Sequence, residues 1–183
     1  TGAGPVIIQH LKSFDPSLSF RVEARSTTRS VVLLNMEGTL IARPGARAFA
    51  TNMAGTATME RGSTVIVRQW NTERTPRGGE RTNTLNHGGT LWILGMKTES
   101  SGTKLVTRAG GRSEVLGVHN YNTSGVKDDT PFVRVVDATA AIAGYREINF
   151  TGAAWRVPAL TTTAGVDAPS KPWRSWALLR MGR

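Results

Sequence analysis

Ile93-Leu94-Gly95-Met96 and Val115-Leu116-Gly117-Val118 repeat one pattern of aliphatic, leucine, glycine and apolar residue at a spacing of 22. A second echo joins Leu40-Ile41-Ala42-Arg43-Pro44-Gly45-Ala46-Arg47 to Leu105-Val106-Thr107-Arg108-Ala109-Gly110-Gly111-Arg112 at 65, close to three times 22. A third joins the segment from Val67 to Glu73 to the segment from Ile93 to Glu99 at 26. Leu33-Leu34-Asn35-Met36-Glu37 is a looser relative. Recurrence at uneven spacing is what a stack of short strands produces when its corners accept insertions, because each layer touches only its neighbours.

The strands expected inside these repeats are short. They are Val6 to Ile8, Ser30 to Leu34, Thr39 to Ala42, Thr64 to Gln69, Thr90 to Gly95, Lys104 to Thr107, Glu114 to Val118, Phe132 to Val136 and Arg146 to Phe150. Turn dipeptides punctuate them: Pro44-Gly45, Arg61-Gly62, Gly78-Gly79, Gly88-Gly89, Ser101-Gly102, Gly110-Gly111 and Ser124-Gly125. The pattern predicts an all-β chain, a right-handed parallel β-helix. A β-sandwich built of hairpins is the alternative, but hairpins do not require one tetrapeptide to recur at a fixed offset. Residues 1–150 read as β-helix layers, and 151–183 as an irregular tail with a capping strand, marked by Thr161-Thr162-Thr163 and three prolines. Trp173 and Trp176 supply apolar bulk to that tail.

The offsets also predict columns. Val67, Ile93 and Val115 share one, and Trp70, Met96 and Val118 another, both apolar and therefore pointing inward. Asn71, Lys97 and His119 follow on the outside. Thr72, Thr98 and Asn120 form a corner where small polar groups can ladder hydrogen bonds. Glu73, Glu99 and Tyr121 point outward again.

The 183 residues suffice for a domain with a core, with 39% hydrophobic residues and 20 glycines. Nothing approaches the roughly 18 consecutive apolar residues of a membrane-spanning helix, so no membrane partner is expected. The chain has no cysteine, which excludes disulfides and thiolate metal sites. The formal net charge is +10, from 23 Lys and Arg against 13 Asp and Glu, which favours polyanionic partners. The cations are scattered singly, and the one aromatic–basic run, Arg68-Gln69-Trp70, is too short for a nucleic-acid surface. The apolar strand from Val6 to Leu11 has no cap before it, so an upstream segment or a partner chain is expected to cover it.

The stretch from Gly88 to Glu99, the continuation Gly110-Gly111-Arg112-Ser113-Glu114-Val115-Leu116-Gly117 and the later Tyr145-Arg146-Glu147-Ile148 resemble late layers of pectate-lyase-superfamily proteins. These are the glycoside-hydrolase-family-28-related β-helix proteins, and the resemblance covers roughly residues 30 to 150. It implies a pectin-lyase-like solenoid, secretion or a cell-surface location, and action on or binding to a polysaccharide. The chain would then be the C-terminal part of a glycoside hydrolase or polysaccharide lyase, or a non-catalytic structural or binding subunit of a surface assembly. The family's catalytic carboxylates and calcium-binding aspartates have no matching motif here, so no catalytic residue is carried over.

Among candidate chemical groups, Glu73 and Glu99 stand one layer apart. That suits the carboxyl separation needed for glycosidic acid–base work, though two solvated glutamates beside Lys97 are the plainer reading. Asp128-Asp129 lacks further carboxylates toward the roughly six to eight oxygens of a calcium site, so neither metal nor cofactor is expected. Arg68, Lys97, His119 and Tyr121 are the expected ligand-binding residues, on an outer face suited to an anionic glycan. His10 and His87 lack metal spacing, and Trp92 and Trp155 are expected in the core. Thr1-Gly2 admits an N-terminal threonine nucleophile, but nothing else supports it and a cleavage or chain boundary is the plainer reading.

Overall fold

The computed structural model describes residues 4–12, 20–73, 82–99, 102–123, 130–150, 155, 157–170 and 175–182, and holds no helix among them. Thr1, Gly2, Gly78, Gly79, Ser101, Ser124, Gly125, Asp128, Asp129, Trp173 and the side chain of Trp176 lie outside the described residues. The strands are β1 (Val6–Gln9), β2 (Phe20–Ala24), β3 (Val31–Ala42), β4 (Arg47–Met59), β5 (Thr64–Asn71), β6 (Thr82–His87) and β7 (Thr90–Glu99). They continue as β8 (Thr103–Arg108), β9 (Arg112–Asn122), β10 (Val133–Val136), β11 (Thr139–Asn149), β12 (Ala159–Thr163), β13 (Val166–Pro169) and β14 (Ser175–Met181).

They form one curled, mostly parallel sheet of two rows. The first row runs β1, the front of β3, the front of β4, β5, β7, β9 and β11, all parallel. The second runs β2, the rear of β3, the rear of β4, β6, β8, β10 and β12, also parallel. Antiparallel strands finish each row, β14 against β11 and β13 against β12. Hairpins between neighbouring parallel strands are therefore absent among the described residues, which rules out the sandwich.

The register explains the repeat. Val67 pairs with Ile93 and Ile93 with Val115, and all three are buried. Trp70, Met96 and Val118 form the next buried column, and Thr72, Thr98 and Asn120 the buried polar corner. There Thr98 Oγ1 and Asn83 Nδ2 both donate to the Thr72 carbonyl, at 3.4 and 3.0 Å. The 65-residue echo spans three layers of 17, 27 and 21 residues, by way of Leu40, Ala57, Thr84 and Leu105. It is not three equal periods.

β2, β4 and β6 were not expected. β4 reads Arg-Ala-Phe-Ala-Thr-Asn-Met-Ala-Gly-Thr-Ala-Thr-Met, and alanine and glycine are depleted in strands generally. Here a layer of only 17 residues encloses a narrow interior, and Ala46, Ala48, Ala50 and Ala57 are buried in it beside Met53 and Met59. The expected strands Ser30 to Leu34 and Thr39 to Ala42 are, but for Ser30, one strand, β3, bent at Gly38. Of the expected strand Arg146 to Phe150, all but Phe150 is the end of the longer β11. The run Thr161 to Thr163, expected to be irregular, supplies three of the five residues of β12, with Ala159 stacked on Val133. Trp92, expected in the core, points outward and is 36% exposed, whereas Trp155 is fully buried. Among the described residues β1 pairs with β3 alone and Ile7 is exposed, while β14 pairs with β11 at the opposite end.

Longer layers bury polar groups that need partners. Asn86 Nδ2 donates to the Arg112 carbonyl at 2.9 Å and to Ser113 Oγ at 3.0 Å, while its Oδ1 accepts from the Gly89 amide at 2.8 Å. Asn86→Leu keeps the volume but strands that amide. The expected loss is about 2 kcal/mol, read as a lowered urea midpoint with an unchanged slope.

Candidate functional site

One backbone feature recurs in every layer of the first row. His10, Asn35, Asn52, Gln69, Gly95, Gly117 and Gly144 all have positive φ, between 53° and 85°. Each adds one residue to the inward–outward alternation, as a bulge does. In β3 the buried positions therefore step from Leu33 to Met36 instead of to residue 35. The kinks stack into a line across the layers. Asn52 Nδ2 donates to Asn35 Oδ1 at 2.8 Å along it.

From β7 onward the kink residue is glycine. A Cβ added at Gly95 or Gly117 would meet nothing within 4 Å. The missing side chains leave an open trough of about 620 Å³. Trp70, Met96 and Val118 lie under it, Gln69 and Asn52 stand at one end, and Asn71, Lys97, His119 and Arg146 form one wall. The wall residues are in register across four adjacent strands. Asn71 Oδ1 and His119 Nε2 are buried there and have no hydrogen-bond partner among the described residues. An unsatisfied buried polar atom costs about 1–3 kcal/mol.

Lys97 Nζ bridges Glu73 and Glu99, the latter at 2.7 Å. The hydrogen bonds to Glu73 and then Glu99 hold its ammonium above the ordinary range. Burial pushes the Glu73 carboxyl up, but hydrogen bonds from Lys97 and Asn71 outweigh it and hold the group below its usual value. Tyr121 stacks on His119 at 4.4 Å and on Phe150 at 5.8 Å, with Lys97 Nζ 5.4 Å from its ring centre. Phe150 is 66% exposed, so this aromatic ladder opens to solvent.

Of the expected ligand-binding residues, Lys97, His119 and Tyr121 come together. Arg68 stands across the kink, in register with Leu94, and does not line the trough. Sequence reasoning placed Asn71 in the column of Lys97 and His119 without giving it a role, and missed Arg146, Phe150 and the glycine floor. A signal was present: Ile142-Ala143-Gly144-Tyr145 continues the opening tetrapeptide one layer further. Glu73 and Glu99 do adjoin, but clamped on one ammonium.

A second polar cluster is enclosed. Tyr145 Oη donates to Glu147 Oε2 at 3.3 Å, and the Trp155 amide donates to Glu147 Oε1 at 3.4 Å. Phe132 packs edge-on against both Tyr145 and Trp155. These groups are buried, so the cluster reads as core. Among the described residues no group of three His, Asp or Glu is placed to hold a metal. No family model, no curated protein and no solved structure matches the chain.

Proposed function

We propose that this chain is a run of right-handed parallel β-helix of the pectate-lyase-superfamily kind, secreted or displayed at a cell surface, that holds an extended anionic polysaccharide along the kink trough. The two parallel rows support the helix, because crossovers between parallel strands are right-handed in about 98% of cases. The observation that carries the binding reading is the glycine-floored trough with two orphaned polar atoms on its wall. Its wall repeats at the inter-strand distance of about 4.8 Å, so successive units of a polymer meet Lys97, His119 and Arg146 in turn. Arg146 offers a guanidinium fork suited to a carboxylate. Tyr121 and Phe150 offer a flat apolar surface to a sugar ring face.

The reading is of holding, not cutting. Cleavage by two carboxyl groups needs one of them protonated near neutral pH. Glu73 is held ionised by the ammonium it shares with Glu99.

The test is calorimetric titration with a uronic-acid polymer and a neutral glucan, each at low and high salt. Uronate binding that weakens with salt is expected, since exposed charges are screened beyond about 10 Å at 0.1 M. Arg146→Ala is expected to cost about tenfold in affinity. Lys97→Ala is expected to cost more, because it leaves two carboxylates unbalanced on the wall. Equal affinity for both polymers, unmoved by salt, would sink the reading.

A further inference from the structure

The line of kinks changes character at one step. Asn35, Asn52, Gln69, Gly95, Gly117 and Gly144 follow one another across the strands, each between two register pairs. All have left-handed φ, so each position directs a Cβ to the same place over its layer. Gly95 and Gly117 leave that place empty, since a Cβ on either would meet nothing within 4 Å. Gln69 and Asn52 fill it with exposed carboxamide side chains. Behind them the filling continues, with Asn52 Nδ2 tied to Asn35 Oδ1 at 2.8 Å. The trough is therefore three layers long, about 14 Å, and it stops against Gln69. At its other end the lining finishes with Gly144 and Arg146.

We infer that the trough takes the end of a glycan chain and not its middle, and that Gln69 is the residue that sets this preference. The inference rests on the glycan reading above and names the part of the polymer that is held. A chain lying along the kinks sets one unit beside each of Lys97, His119 and Arg146, which stand two residues after Gly95, Gly117 and Gly144. Its terminal unit abuts Gln69, and the remainder leaves past Arg146. An internal unit is refused the terminal place, because its continuation would run into the side chains of Gln69 and Asn52. A terminal unit carries a free hydroxyl where an internal one carries the next glycosidic bond. A carboxamide both donates and accepts hydrogen bonds, so Gln69 suits that hydroxyl in either role.

The test is calorimetric titration with 1,4-linked uronic-acid oligomers of increasing length and with two size fractions of the polymer. Affinity should rise on the order of tenfold per unit up to the third and stay level beyond it. At saturation each polymer chain should hold one copy of the protein, whatever its length. Gln69→Gly opens one more layer, as far as Asn52, and should move the plateau to the fourth unit. Gly95→Asn closes one layer and should move it to the second. Glycine suits the left-handed turn at 69. Asparagine tolerates it at 95, where a Cβ has room, so both variants should keep the circular-dichroism spectrum of the parent. Three results overturn the inference and leave the glycan reading standing: an affinity that keeps climbing with length, a number of bound copies that grows with the polymer, or a plateau that either variant leaves in place. Absence of uronate binding at every length removes both.

Discussion

Gly55→Ala is expected to cost about 3–5 kcal/mol, enough to leave much of the chain unfolded at 37 °C. Gly55 sits where β4 turns from the first row into the second, at φ +130°. A Cβ there would lie 2.0 Å from the Gly38 carbonyl oxygen of the layer below. Gly38 has the same problem one layer further down, 2.2 Å from the Phe20 carbonyl. The obstructing atoms are backbone already paired between strands, so relief requires two layers to separate. Trp70 Nε1 also donates to the Gly55 carbonyl at 3.2 Å, tying the corner from above. Gly117→Ala is the matched control. Its φ is +80° but its Cβ would meet nothing, so it should lose only about 1 kcal/mol from backbone strain. Urea midpoints of the two variants decide the matter, and equal losses would mean that strain, not the close approach, governs both sites.

The second large effect is a stability that climbs with alkaline pH. Lys104 is fully buried, and desolvation lowers its ammonium from 10.5 to about 8. Between those values the unfolded chain holds a proton that the folded chain has released, so stability rises across pH 8 to 10.5. The whole gain is at most about 3 kcal/mol. Tyr145 acts in the opposite sense. Burial, and then the Glu147 carboxylate, push its phenol well above 10. The unfolded phenol ionises first, and stability falls above about pH 10. A maximum near pH 10 is therefore expected in urea titrations. Lys104→Met should flatten the rise and stabilise the protein at pH 7 by about 1–3 kcal/mol. That holds even though the Nζ bond to the Glu99 carbonyl, at 2.6 Å, is lost. A wild-type midpoint that stays flat from pH 8 to 10 would contradict this account.

What could be read in the sequence was whatever a stacked layer repeats. Large inward residues at a shared offset announced themselves, and Val67, Ile93 and Val115 do lie side by side. The corner of Thr72, Thr98 and Asn120 was legible for the same reason. Layers whose inward residues are alanine carry no such mark, which is why β4 was invisible. Nor does alternation reveal a kink. The left-handed residues Asn35, Asn52 and Gln69 look like ordinary polar strand residues until their register with Gly95 and Gly117 is known. The trough therefore could not be found from side-chain types, since its defining property is that three side chains are missing. Arg68 was grouped with Lys97 because adjacent layers were taken as flat, and the kink sends the two to different faces.

The two kinds of corner have different tolerances. From β3 onward the chain returns from the second row to the first in two to four residues, as at Arg43 to Ala46, Glu60 to Ser63 and Gly88 to Gly89. Their glycine amides reach the next layer: Gly45 to the Arg61 carbonyl, Gly62 to Gly88, and Gly88 to Arg108. From the first row to the second, β3 and β4 cross with no gap at all, whereas ten residues separate β5 from β6 and ten separate β9 from β10. Closing a longer excursion adds only about 0.6 kcal/mol per doubling of its length. That edge is thus a ready place to graft a foreign peptide. An epitope or a short enzyme-recognition tag carried between β5 and β6 would leave the register of both rows as it is.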